Sequence, residues 1–328
     1  MLGPGVIGEF TMNIRRRPLA RVASRASAAF ALLLASFPAK PATLVVGPGR
    51  GFLSIREAAL RAHPGDTVRV EPGVYHDCAV WRVDGLTIEG TGAGARFEDT
   101  VCEDKGIFVV LANDVTIRNI SFAHARSSDG NGAGIRAQGR NLTVDEGTFV
   151  DNEDGILSDT IPESTILIRN SNFVGNGSCI SPSGCAHGIY IGHIARLRVE
   201  GSHFWNTRIG HHIKSRALRT EIANNIIEDG PLGTSSYLID VPNGGSVEIT
   251  GNRLEKGSLS DNHVTAIDIG EEGKLQPGDR ILISRNRFDN DGPPTVFVRN
   301  ASTLPAELAE NVLRGHQIEA LVGPGQVH

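Results

Sequence analysis

The chain has 328 residues and a formal net charge of −5, with 39 glycines and only 5% aromatic residues. It lacks the basic excess that a phosphate backbone demands, so nucleic acid is not an expected partner. An acidic polymer stays open, because a local Lys/Arg cluster can steer a polyanion whatever the total charge. Many glycines and few aromatics suit a turn-rich all-β chain of short strands better than a helical bundle.

At the start of the chain Arg15, Arg16, Arg17, Arg21 and Arg25 precede an apolar run over residues 28–37, followed by a Pro/Ala-rich stretch to Ala42. This pattern reads as an export signal, with residues 1–42 as signal peptide and leader and 43–328 as one domain. The apolar run is half of the roughly 20 residues that a spanning helix needs, so no stable membrane anchor is expected. Met12 by itself begins a normal signal peptide, and residues 1–11 lie ahead of it. The Arg16-Arg17 pair keeps a twin-arginine route open beside the ordinary secretory one. Either leads to the periplasm or out of the cell. Cys78, Cys102, Cys179 and Cys185 suit such an oxidising compartment. Cys179 and Cys185 flank a short turn that a disulfide can close. Cys78 and Cys102, 24 residues apart, can pair across one repeat or stay as buried thiols.

Beyond Ala42 the sequence repeats. Segments centred on Ile117, Val144, Ile168, Val199, Ile222, Ile249, Ile283 and Leu308 follow one another at 27, 24, 31, 23, 27, 34 and 25 residues, the variable period of a solenoid with loop insertions. Five residues after each centre stand Phe122, Phe149, Phe173, Phe204, Ile227, Leu254, Phe288 and Leu313, an apolar column predicted to stack inside. Three residues after the later centres stand Ser171, Ser202, Asn225, Asn252, Asn286 and Asn311, a polar column predicted to hydrogen-bond along the solenoid axis. A further strand follows in each repeat: 134–137, 155–157, 188–191, 212–214, 237–239, 266–269 and 296–298. Its Ile and Val residues are expected inside, and those between them outside.

The first repeat combines Leu44-Val45-Val46-Gly47-Pro48-Gly49, a helical stretch around residues 54–62, Pro64-Gly65-Asp66-Thr67-Val68 and Glu71-Pro72-Gly73-Val74-Tyr75. It resembles the N-terminal cap of parallel β-helix proteins. Together with the repeats it makes the chain look like a member of the pectin-lyase-like superfamily. That resemblance implies an all-β, single-stranded, right-handed parallel β-helix with a short capping helix. Gly47-Pro48-Gly49-Arg50-Gly51 lacks the Lys-Ser/Thr ending of a phosphate loop and belongs to this cap.

A solenoid core explains the inward residues, so function is sought on the outer face. The densest polar group runs from His187 to Asn243. Strand alternation puts His212 and Lys214 on one face, with Tyr190 and Tyr237 on the same face of neighbouring repeats. Ile213-Lys214-Ser215 resembles a strand of the chondroitinase B and alginate lyase family, and the resemblance implies Lys214 as general base. Where that family continues with Leu-Arg-His, this chain has Tyr237-Leu238-Ile239-Asp240. The expected catalytic residues are Lys214, Tyr237 and His212, with Arg216, Asp240, Tyr190, His187 and Asn243 binding substrate. In β-elimination from a uronate polymer, Arg216 and a protonated His212 would lower the pKa of Lys214 and neutralise the substrate carboxylate. Tyr237 would protonate the leaving oxygen, or act as base if Lys214 only binds.

Two rival readings stay open. Asn152-Glu153-Asp154-Gly155-Ile156 and His187-Gly188-Ile189-Tyr190 are loosely similar to motifs of the polygalacturonase family, which implies hydrolysis, with Asp151, Asp154 and Asp159 as the available carboxylates. A non-catalytic carbohydrate-binding or envelope scaffold is the other. Tyr237-Leu238-Ile239-Asp240 also resembles a strand of mannuronan epimerases. His193, His203, His263 and His316 read as turn or surface residues. No metal is expected at the site and no cofactor overall. The exception left open is calcium at Asp268, Glu271 and Glu272.

Overall fold

A computed structural model describes residues 11–12, 40–180 and 184–328. The export-signal reading falls on residues outside that description. Residues 41–328 form one unit, and its described residues build three parallel sheets of twelve, ten and ten strands. We call these sheets A, B and C, starting at Thr43–Val46, Gly73–Tyr75 and Ala79–Trp81 respectively. Beyond the cap each coil of chain contributes one strand to each sheet in turn, which is the solenoid that the repeats predict and the right-handed parallel β-helix that the resemblance implies.

The predicted columns are register neighbours. In sheet A the run Ile117, Val144, Ile168, Val199, Ile222, Ile249, Ile283 and Leu308 pairs coil on coil. In sheet B the Phe122-to-Leu313 column does the same. Three of its rings stack almost parallel, with centroids 4.6 Å apart for Phe149 and Phe173 and 4.4 Å apart for Phe173 and Phe204. Burying each such ring stabilises by about 2–3 kcal/mol.

At the corner between sheets A and B the polar column closes on itself. Asn225 gives its backbone N–H and its Nδ2 to Asn252 Oδ1, at 2.9 and 3.0 Å, and Asn252 treats Asn286 identically. Each amide also donates to a carbonyl of the coil before, so the buried donors and acceptors are matched by repetition.

The cap forms as expected. Ser54 accepts the Glu57 N–H and starts the helix Ile55–Arg61, which lays Ile55, Ala58 and Ala59 over the open end of the core. Both cysteine pairs are disulfides, Cys78–Cys102 and Cys179–Cys185.

Candidate active site on the outer face of sheet C

Register builds the site. In sheet C, Tyr190 pairs with Lys214, Lys214 with Asp240, Asp240 with Asp268, and Asp268 with Arg299. Five coils thus present a continuous outward column of a phenol, an ammonium, two carboxylates and a guanidinium. Beside it lies a second column of rings. His187 stacks on His211 at 4.8 Å and His211 on Tyr237 at 4.9 Å, both pairs nearly parallel.

The ring column has a defined proton arrangement. His187 Nδ1 accepts the His211 backbone N–H at 2.9 Å, and His211 Nδ1 accepts that of Tyr237 at 3.1 Å. Each neutral imidazole therefore carries its proton on Nε2. Burial, reinforced by the Lys214 charge, holds both histidines well below the ordinary imidazole pKa. They are potential hydrogen-bond donors rather than bases, and His211 Nε2 lies 3.4 Å from Asp240 Oδ2.

The loop after the strand Thr265–Ile269 folds back over the column. Glu272 takes a hydrogen bond from Lys214 Nζ at 2.9 Å and another from Arg216 Nη2 at 2.6 Å. Arg216 also donates to Tyr190 Oη and to Asn243 Oδ1, and Asn243 in turn donates to the Gly273 carbonyl, which ties the loop down. At the far end Arg299 binds Asp268 and Glu271, and Tyr237 donates to Glu271 at 2.9 Å. The Cys179–Cys185 disulfide places Gly184 and Cys185 at the rim of the cleft.

Electrostatics set the protonation states. Asp240 is wholly buried; Lys214 Nζ lies 2.9 Å from it as an ion pair, yet no donor is aimed squarely at either oxygen. Burial lifts this carboxyl to about 7 against the pull of Lys214. Burial likewise lifts Asp268 to about 6, with Arg299 opposing. Tyr237 is raised by burial and by the Glu271 carboxylate, so it stays protonated. For Lys214 burial pulls the pKa down, but the charges and hydrogen bonds of Asp240 and Glu272 overrule it and the net shift is upward. That corrects the expectation of a depressed lysine: the resting side chain is an ammonium.

His212 requires a second correction. It is not on the outer face; its side chain is fully buried, with Nε2 donating to Asp229 at 3.0 Å and Nδ1 2.7 Å from Thr207 Oγ1. The strand Ile213–Ser215 begins one residue later. At the position before it, Gly188, His212, Leu238 and Ala266 align across four coils, and Leu238 and Ala266 there are fully buried. Alternation cannot be carried across the turn, and His211 takes the outward place. Tyr190, Lys214, Arg216, Tyr237, Asp240, Asn243 and His187 lie together on this face. Asp268, Glu271, Glu272 and Arg299 join them as members not assigned to the site from sequence.

The polygalacturonase-like carboxylates do not converge. Asp151 is held by Arg126 and Arg208, Asp159 by Arg136, and Asp154 is buried on the His187 backbone N–H. Glu271, Glu272 and Asp268 are each met by a cationic side chain, so calcium there would have to displace four ion pairs.

The fold and its outward polar cleft define a right-handed parallel β-helix protein. Among solved structures the chain is similar to the pectate lyase Pel9A (13% identity, TM-score 0.59, covering 89% of this chain and 80% of that one). It is likewise similar to an alginate lyase from a Paenibacillus species (16%, 0.53, 85% and 99%) and to a lacto-N-biosidase from Eubacterium ramulus (12%, 0.54, 88% and 68%). At these identities the likeness is one of fold. No curated protein matches. Residues 65–231, just over half of the chain, match the family described as "Periplasmic copper-binding protein (NosD)", and the chain belongs to that family.

Copper does not fit this cleft. The soft ligands that copper(I) favours are missing from the solenoid: the described cysteines are all in disulfides, and both methionines, Met1 and Met12, precede it. For copper(II), His187 and His211 have no free lone pair to offer, since each Nδ1 accepts a backbone N–H and each Nε2 carries the proton.

Proposed function

We propose that this is an exported protein that binds an acidic, uronate-bearing polysaccharide along sheet C and cleaves it by β-elimination. One observation carries the reading: Glu272 lies across Lys214 and Arg216 as a carboxylate held by two cations at the mouth of the cleft. A uronate carboxylate offers the same chemistry and can take its place. The periplasmic description of the family and the two disulfides support export. Two fold neighbours named as lyases of acidic polysaccharides support the substrate class.

The residues divide the work as follows. Arg216 neutralises the substrate carboxylate, and Arg216 together with Lys214, charged again once it has taken up the α proton, neutralises the enolate that develops from it. Asp240, with a pKa of about 7, takes a proton from Lys214, and the freed amine removes the proton α to the carboxylate. The electron pair of that C–H bond forms the new double bond. The glycosidic C–O bond breaks, and the Tyr237 hydroxyl, kept protonated by burial and Glu271, gives its proton to the leaving oxygen. His187 and His211 supply Nε2–H donors along the wall.

The test incubates the full chain, and a Lys214→Ala variant with unchanged circular dichroism, with a panel of uronate polysaccharides. Ultraviolet absorbance of the unsaturated end, rising with the parent and absent with the variant, is the expected result. New reducing ends without that absorbance would overturn elimination in favour of hydrolysis. The observation that favours hydrolysis is Asp240 and Asp268 one coil apart, both with raised pKa. Binding without any cleavage would make the protein a carbohydrate-binding scaffold.

A further inference from the structure

At its far end the cleft holds a cation to which the elimination assigns no task. Arg299 lies in the strand Thr295–Asn300, three coils beyond Lys214 in the same column, with Asp240 and Asp268 between them. At roughly 4.8 Å per coil the two backbones are about 14 Å apart.

The guanidinium has one buried and one exposed partner. Its Nε binds Asp268, which is fully buried and pairs with no other cationic side chain among the described residues. Its Nη2 carries two protons, one donated to Glu271 at 2.5 Å and one to Tyr237 Oη at 3.2 Å. Neutralising Asp268 is reason enough for an arginine in this strand. It gives no reason for Glu271, which comes from the exposed loop 271–275 and brings a second carboxylate to a cation already paired. Glu272, the next residue, does the same to Lys214, which already has Asp240. Consecutive residues of one loop thus lay carboxylates on cations at both ends of the cleft. A polymer with acidic groups on more than one sugar offers the same pattern.

The direction of that polymer rests on the elimination reading. There Arg216 holds the carboxylate of the sugar that loses its α proton, and Tyr237 faces the leaving oxygen. A group on Arg299, whose Nη2 touches Tyr237, therefore belongs to the leaving side. We infer that Arg299 is a second carboxylate subsite on the leaving side of the scissile bond. The preferred substrate then carries acidic groups on both sides of that bond, as a run of uronates does and a uronate alternating with a neutral sugar does not. The ligand carboxylate takes the place of Glu271 on Nη2 while Nε stays on Asp268, so the guanidinium need not move. Departure of Glu271 also frees the Tyr237 proton for the leaving oxygen. A neutral sugar offers Nη2 a hydroxyl in place of a charge, which makes the weaker hydrogen bond.

The experiment measures binding to the full chain by calorimetry for three hexasaccharides: oligogalacturonate, oligomannuronate, and glucuronate alternating with N-acetylglucosamine. Ultraviolet absorbance is followed in parallel. The parent should bind at least one oligouronate about tenfold more tightly than the alternating oligomer. Glu271→Gln, which leaves the Asp268–Arg299 pair intact, should widen that ratio severalfold. Arg299→Gln should collapse it toward one. Because Arg299→Gln strands the buried Asp268, Arg299→Gln combined with Asp268→Asn is measured too, with thermal melts, and should collapse the ratio in a folded chain. A parent ratio near one, or a ratio indifferent to Arg299→Gln and to the double variant, overturns the subsite. Absorbance keeps the two readings apart. If no oligomer yields an unsaturated end but the ratio is lost with Arg299→Gln, the subsite stands and elimination falls. If unsaturated ends form while the ratio ignores every variant, elimination stands and the subsite falls. No binding of either class overturns both.

Discussion

Two polar columns run along the same solenoid and differ in how they are balanced. The Ser/Asn column between sheets A and B repeats one kind of group, so each coil satisfies the next and nothing is left charged or aimed outward. The column on sheet C changes chemistry at every coil, from phenol to ammonium to carboxylate to guanidinium. It leaves Asp240 buried without a well-directed donor. Repetition makes a polar group structural; broken repetition leaves proton affinities displaced, which is what a reaction needs. Substitutions in the first column should cost stability and leave ligand handling alone, and substitutions in the second should do the reverse.

The adjacent histidines give the sharpest form of this contrast. His212 is the main group, with Lys256 and Ser235, that holds the buried Asp229 at a pKa of about 2 against the upward push of burial. His212→Ala takes the imidazole from this carboxyl and leaves it Ser235, Gly257 and Ser260 as donors. It should destabilise by about 3 kcal/mol, read as a lower urea midpoint with an unchanged slope. His211→Ala should lower affinity for acidic oligosaccharides with a smaller stability loss. If the two variants behave alike, the division between core and wall is wrong. Next in size is Asn252→Ala, which removes the amide that links three coils and should cost about 2 kcal/mol. Asn252→Ser should cost less, because Ser171 and Ser202 already fill the same position in earlier coils.

The sheets, the Phe stack, the Asn ladder and the cap were legible because each recurs, and a recurring residue at a recurring spacing leaves one register. The candidate site was legible in part. Lys214, Tyr190 and Asp240 follow from alternation within their strands, whereas Tyr237 and His212 both lie ahead of theirs, where alternation does not apply: Tyr237 stacks on His211 in the second column and His212 turns inward. Arg299 and Asp268 were accessible in principle: aligning Ile239, Ile267 and Val298 puts the residue after each into one column with Lys214. Glu272 reaches Lys214 across 58 residues of sequence, through a loop whose path no local rule gives. The signal for it was the widest repeat, 34 residues from Ile249 to Ile283, which marks an insertion at that point.

The protonation of the sheet C column gives a pH signature that the amide ladder lacks. Asp240, at about 7, binds its proton more tightly folded than unfolded. Its contribution to stability is therefore fully present below the unfolded carboxyl pKa and is lost as the pH rises toward 7. Pairing with Lys214 absorbs part of the shift, so the loss should be about 2 kcal/mol or less. Urea unfolding of the parent and of Asp240→Asn at several pH values between 4 and 8 checks it. The difference between the two proteins should change across that range, whereas the difference between the parent and Asn252→Ser should stay flat.

The smallest stability effect belongs to Glu272→Gln, and it bears most directly on how the cleft is used. Glu272 is partly exposed and its ion pairs are screened, so losing its charge should cost under about 1 kcal/mol. Binding should respond more than folding. If the Glu272 carboxylate stands in for a substrate carboxylate, the neutral amide competes less for Lys214 and Arg216, and affinity for an acidic oligosaccharide should rise severalfold. If Glu272 instead orders the two cations for the ligand, affinity should fall. Salt separates these cases from a general change in surface charge: stand-in displacement predicts that the gain over the parent persists for a uronate oligomer at high ionic strength and is absent for the neutral oligomer at any salt.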